Sequence, residues 1–94
     1  MKVHWTATAR RHLRGIHDHI ARDSPVYARN VVARIVDRSD QIAAFPESGR
    51  RVPEYGRDSV REVFEDPYRV IYRIKKTSID VIAVVHGARQ LSRR

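Results

Sequence analysis

Two neighbouring runs near the C-terminal end constrain this chain more than any other feature. From Tyr68 to Ile74 the apolar residues Tyr68, Val70, Tyr72 and Ile74 alternate with Arg69, Ile71 and Arg73, and Lys75 follows. A period of two describes a strand buried on one side. From Ile79 to Val85 both alternating sets are apolar until His86, which describes an interior strand buried on both faces. Lys76-Thr77-Ser78 leaves room only for a tight hairpin between them. The paired strands then carry Arg69 and Arg73, with His86 and Arg89 past the core, onto one open sheet face. Arg61 and Glu62 reach the same neighbourhood from the preceding strand. Such a face suits an anionic partner.

The rest of the chain supplies a cover for the other face. Lys2 to Trp5 reads as a short first strand, and Thr6 as the N-cap of a helix. Ala9, Leu13, Ile16 and Ile20 form its apolar stripe, opposite Arg10, Arg11, Arg14, Asp18 and Arg22. Asp23-Ser24-Pro25 breaks and restarts the helix, with Ser24 as cap and Pro25 in the first turn. The second helix runs to about Ala44 on a stripe of Ala28, Val32, Ile35 and Ile42, widened by Val31, Val36 and Ala43. So short a break makes an antiparallel helical hairpin. Pro46, Gly49, Pro53 and Gly56 punctuate a connection to about Ser59, Val60 to Phe64 is a short strand, and Asp66-Pro67 a turn. The predicted order is strand, helix, helix and a three-stranded antiparallel meander. This is a two-layer α+β fold with the hairpin packed on one sheet face, a single domain over residues 1–94. Trp5 and Phe45 are expected in the core.

Composition limits the partners. Of 94 residues, nineteen are Lys or Arg and eleven Asp or Glu, a net charge of +8 with a pI near 10.8. That excess favours acidic protein or nucleic acid as a partner. It is carried mostly by Arg, which grips carboxylate and phosphate bidentately. There is no Cys, so disulfides and thiolate metal sites are excluded. No apolar run approaches the roughly 20 residues that span a bilayer. Met1 to Trp5 lacks a signal-peptide pattern, so a soluble, cytoplasmic protein is expected. His12, His17 and His19 flank the first helix's stripe without an i, i+4 pair, so neither a metal site nor a cofactor is expected.

In order and spacing these segments resemble the RelE/ParE superfamily of toxins from bacterial type II toxin–antitoxin modules. The resemblance covers nearly the whole chain. It starts at Trp5-Thr6 with Ala9, Leu13 and Ile16 and passes through Ser24-Pro25 with Ala28. It continues through Phe45-Pro46-Glu47-Ser48-Gly49-Arg50, Val52-Pro53-Glu54 and Arg61-Glu62-Val63, ending in Tyr68 to Ile74 and His86-Gly87-Ala88-Arg89. The resemblance implies a cognate antitoxin, bound in a hetero-oligomeric complex, and one of two targets. RelE-like members cut mRNA in the ribosomal A site, with the 2′-hydroxyl as nucleophile and several cations around the scissile phosphate. ParE-like members, the plasmid-stabilisation branch, instead poison DNA gyrase.

Carried over by position, Arg69 and Arg89 retain two of the nuclease cations. The paired lysines of the preceding strand fall at Val60 and Glu62, and the terminal tyrosine expected beyond Arg89 has no counterpart in Gln90 to Arg94. His86 lies close to a histidine that some RelE relatives keep for proton transfer. Glu62 in place of a lysine reverses the field that an anionic transition state needs. The expectation is therefore a ParE-like gyrase inhibitor without catalysis, with Arg61, Glu62, Arg69, Arg73, His86 and Arg89 as its functional surface. The alternatives are a ribosome-dependent mRNA endonuclease working through Arg69, His86 and Arg89, and a non-toxic, antitoxin-bound co-repressor.

Overall fold

The computed structural model describes residues 1–87. Strand β1 (Lys2–Trp5) leads into helices α1 (Ala7–Ala21) and α2 (Pro25–Ala44). A single 3₁₀ turn (Pro46–Ser48) precedes the two-residue strand β2 (Arg50–Arg51). The meander is β3 (Val60–Glu65), β4 (Tyr68–Ile74) and β5 (Ser78–His86). These form one five-stranded sheet in the order β1-β5-β4-β3-β2, antiparallel except where β1 lies parallel to β5. The expected strand-helix-helix-meander order is thus observed, with β2 added at one edge.

Thr6 joins the two layers. Its backbone N–H and its hydroxyl both donate to the Val81 carbonyl, at 3.1 and 2.9 Å, and Oγ1 accepts from the Ala9 N–H at 3.2 Å. One residue therefore ends β1 on β5 and caps α1. Ser24 caps α2 in the same manner, accepting from the Tyr27 N–H at 3.1 Å, with Pro25 in the first turn. Trp5 is half-buried and donates its indole N–H to Ser39 at 2.9 Å, tying β1 to α2.

The hairpin buries Ala9, Val31, Ile35 and Ile42 against Val63, Val70, Tyr72, Ile79, Val81 and Val84 of the sheet. Leu13 and Ile16 pack against this core but remain half-buried. Tyr72 lies at its centre with no exposed surface, and its phenol is satisfied on both sides. The hydroxyl donates to the Pro46 carbonyl at 2.5 Å and accepts from the Gly49 N–H at 3.1 Å. A Cβ on Gly49 would lie 2.5 Å from that hydroxyl and 2.6 Å from the Glu62 carbonyl, so only glycine lets the chain pass here.

Three expectations need correction. Phe45 is not core: it is 67 % exposed, because it follows the last turn of α2 and heads outward over a shallow recess with Met1, Pro46 and Ile74. Val36 does not widen the buried stripe; it lies 40 % exposed on α2. The third concerns β5. Ile71 pairs with Ala83 but Tyr72 pairs with Val81, so Ile82 is an extra residue, a β-bulge. The alternation inverts there. Ile79, Val81 and Val84 meet the helices, whereas Ala83 and Val85 join Val52, Val60 and Ile71 in a second apolar cluster on the other face. Ala83 therefore lies on the outer face, while Val81 lies under the hairpin. The outer sheet face is not open, since Val52 and Tyr55 from the connection between β2 and β3 pack on it.

Two outcomes test this packing. Ile35→Ala should lower stability by about 2–5 kcal/mol, by the transfer and cavity terms of a fully buried side chain. Val36→Ala should change it by less than about 0.5 kcal/mol. Urea denaturation giving equal losses would contradict the arrangement. Burial pushes the Tyr72 phenol above its ordinary value of 10.0, against smaller opposing effects of the Gly49 hydrogen bond and the Arg61 charge. A raised folded value means that this stabilisation is complete below about pH 10 and is lost as pH rises through the folded value. Tyr72→Phe should remove that alkaline loss while costing about 1–3 kcal/mol at neutral pH, because Gly49 and Pro46 lose their partner. An unchanged alkaline limb in the variant's denaturation profile would contradict the assignment.

Candidate functional site

The sheet separates the residues singled out in the sequence. On the outer face, Glu62 of β3 and Arg69 of β4 lie side by side, 1 % and 4 % exposed. Arg69 Nε donates to Glu62 Oε1 at 2.6 Å. Its two terminal nitrogens donate to the two Glu54 oxygens at 3.0 and 2.9 Å, a bidentate pair. The other Glu62 oxygen accepts from Arg50 Nε at 2.5 Å, and the Arg50 guanidinium lies 5.3 Å from the Phe64 ring centroid. Two cations and two anions thus form one continuous chain, Arg50–Glu62–Arg69–Glu54. The Glu54 hydrogen bonds, ahead of those from Glu62, hold the Arg69 guanidinium above its ordinary value despite burial. Arg69 is a fixed, internally neutralised charge.

Arg73 shares the outer face with Arg69 but is exposed. Arg61 points the other way along β3. Its guanidinium donates to the Asp58 carbonyl at 2.9 Å and the Gly49 carbonyl at 3.1 Å, bracing the connection around β2. At the far end of β3, Glu65 on the hairpin side accepts from Arg38 at 3.1 Å and pairs with Arg34 at 3.5 Å, fastening α2 to β3.

His86 does not join Arg69. Beyond the bulge it falls on the hairpin side, in a recess with Arg11, His12 and His19 of α1. Its ring meets Tyr68 edge to face, with centroids 6.0 Å apart. Gly87 crosses close to the turn before β4, its N–H donating to the Pro67 carbonyl at 2.6 Å. Arg89 lies outside the described residues. The structure therefore brings together Glu62 and Arg69, leaves Arg73 exposed near them, and sends Arg61 and His86 to the opposite side. Glu54, the bidentate partner of Arg69, was not singled out in the sequence. It is fifteen positions away in a connection, and only the pairing of β2 with β3 brings it close. Among the described residues no group of His, Asp or Glu is arranged to hold a metal ion, and no helix is long and apolar enough to cross a membrane.

Comparison with known proteins fits this architecture. Residues 3–91 match the ParE toxin family of type II toxin–antitoxin systems, parDE. The chain belongs to that family and is a type II toxin of the RelE/ParE superfamily. It is 37 % identical over 92 residues to the toxin candidate Y4kP of Sinorhizobium fredii, covering 95 % of this chain and 91 % of that one. It is 30 % identical over 89 residues to the toxin RelE2 of Caulobacter vibrioides, covering 94 % and 97 % of the two chains. Among solved structures it resembles a chain of the chromosomal ParDE system of P. aeruginosa. That likeness has a TM-score of 0.76 at 25 % identity and covers 92 % of this chain and 95 % of the other.

The ion chain makes its own prediction. Glu62→Ala would leave Arg69 buried with one partner fewer, and breaking a buried pair in this manner costs about 3–5 kcal/mol. Arg73→Gln, an exposed change on the same strand face, should stay within about 0.5 kcal/mol. Thermal or urea unfolding that ranks the two variants equally would show that the ion chain is not structural.

Proposed function

We propose that this toxin acts by binding rather than by catalysis, that its target is DNA gyrase, and that a cognate antitoxin neutralises it in the cytoplasm. The observation that carries the non-catalytic reading is the state of Arg69. A nuclease site needs cations free to meet a phosphate whose charge grows in the transition state. Arg69 is instead committed to Glu54 and Glu62, and a phosphate approaching it would meet two carboxylates first. Glu62 stands where the resemblance places a lysine, and His86 is on the far side of the sheet, out of reach of a shared scissile bond. Membership of the ParE family favours gyrase over the ribosome. The ParDE system to which the structural neighbour belongs supports an antitoxin partner, and a net charge of +8 suits one that is acidic and folds on binding.

The purified protein should leave A-site mRNA intact on programmed ribosomes and should inhibit supercoiling by gyrase. In cells, induction should arrest DNA synthesis and produce filaments while translation continues, with growth restored by co-expressing the acidic protein of the adjacent reading frame. Codon-specific mRNA cleavage abolished by Arg69→Ala or His86→Ala would establish the ribosomal reading instead. Normal growth on induction would establish a co-repressor.

A further inference from the structure

Gly15 has no packing reason to be glycine. It sits inside α1, where glycine is the least favoured residue after proline. Its backbone is not in the left-handed region, and a Cβ added there would meet no atom of the described residues within 4 Å. What the missing side chain does is leave space. Gly15 forms part of the wall of a recess of about 420 Å³ between α1 and the ends of β4 and β5. Arg11 and His19 stand one turn before and one turn after it on the same helix face, on either side of the gap.

The facing wall is aromatic. Tyr68 and His86 meet there at 78°, next to an apolar floor of Ile16 and Val84. His12 closes the inner end. Strand β1 stops opposite Val81, and further along β5 the Val84 N–H is taken by His12 Nδ1 at 3.2 Å, so neutral His12 carries its hydrogen on Nε2. Among the described residues lining the recess there is no Asp or Glu.

We propose that this recess binds a nucleoside phosphate. Its size falls among small-molecule sites, which run from about 300 to 1,000 Å³ and combine apolar walls with a few converging polar groups. The Arg11 guanidinium, which donates to Thr8 Oγ1 at 3.3 Å at the rim, and the imidazole of His19 suit a phosphate. The aromatic pair and apolar floor suit a flat heterocyclic base, which aromatic side chains hold by its π-face. A bare anion would leave the floor in contact with water, and an aliphatic acid would leave the aromatic wall without a flat partner. A nucleotide satisfies both ends at once. The site lies across the sheet from Arg69, so it is independent of the ion chain and of the gyrase reading. A free nucleotide and one within a single strand present the same groups.

Calorimetric titration of the full chain with adenosine 5′-monophosphate, adenosine, inorganic phosphate and a short single-stranded oligoadenylate tests this. The monophosphate should bind at least ~10-fold more tightly than adenosine or phosphate alone. Tighter binding of the monophosphate than of the oligoadenylate identifies a free nucleotide as the source, and the reverse order identifies a strand. Gly15→Leu fills the gap with a better helix former and should weaken monophosphate binding at least ~10-fold while leaving the thermal melt at or above that of the parent protein. Arg11→Gln, an exposed change that keeps the test available should Gly15→Leu not fold, should weaken the monophosphate but not adenosine. Arg73→Gln, on the other face, should change neither. The proposal is overturned by absence of saturable monophosphate binding at millimolar concentration, by binding unaffected in folded Gly15→Leu or in Arg11→Gln, or by equal loss in Arg73→Gln, which would indicate general charge attraction.

Discussion

Side chains along a strand alternate between faces, so one extra residue moves everything beyond it to the other side. Ile82 is that residue in β5. Before it, Ile79 and Val81 lie under the helices; after it, Val84 does, and Ala83 and Val85 turn to the second cluster. Both faces of β5 are apolar, so neither core loses a contact by the change. The consequence appears at the strand's end. His86 falls beside α1 instead of beside Arg69, and two residues expected to share a surface are separated by the thickness of the sheet. The division of the molecule into an outer ion chain and an inner, histidine-lined recess follows from this register.

The outer face also shows why net charge is a poor guide to a local surface. The chain carries +8 overall, yet the arginine that the resemblance would place at a scissile phosphate is matched by carboxylates on two sides. Arg50–Glu62–Arg69–Glu54 links β2, β3, β4 and the connection after β2, and the second apolar cluster packs on the same face. Desolvating Glu62, Arg69 and Glu54 is tolerable only because each carboxylate oxygen has a guanidinium donor, one of them from the exposed Arg50. Positive charge available to partners lies elsewhere, on exposed arginines such as Arg10, Arg14 and Arg73.

Much of the architecture was legible in the sequence because it rests on local signals. Thr6 and Ser24-Pro25 mark helix starts through hydrogen bonds made within one turn, and the stripe containing Ile35 and Ile42 shows which side of α2 is buried. The alternation from Tyr68 to Ile74 marked β4 and its inward face. Phe45 and Val36 misled because apolar character says that burial is favourable, not that a neighbour is present. The two-residue strand β2 carries no periodicity to read.

The sequence by itself determined every element but β2 and the 3₁₀ turn, their order, the helical hairpin over the sheet and the resemblance to a toxin superfamily. Each follows from side-chain period, caps and turns acting over a few residues. The tertiary structure alone decided the partners of Arg69, the side taken by His86 and the recess beside Gly15. Glu54 and Arg69 meet through strand pairing across fifteen positions, and a bulge in a strand apolar on both sides leaves no trace in its hydrophobic pattern. A glycine in a helix states only what is missing; the facing wall of Tyr68 and His86 decides what that absence is for.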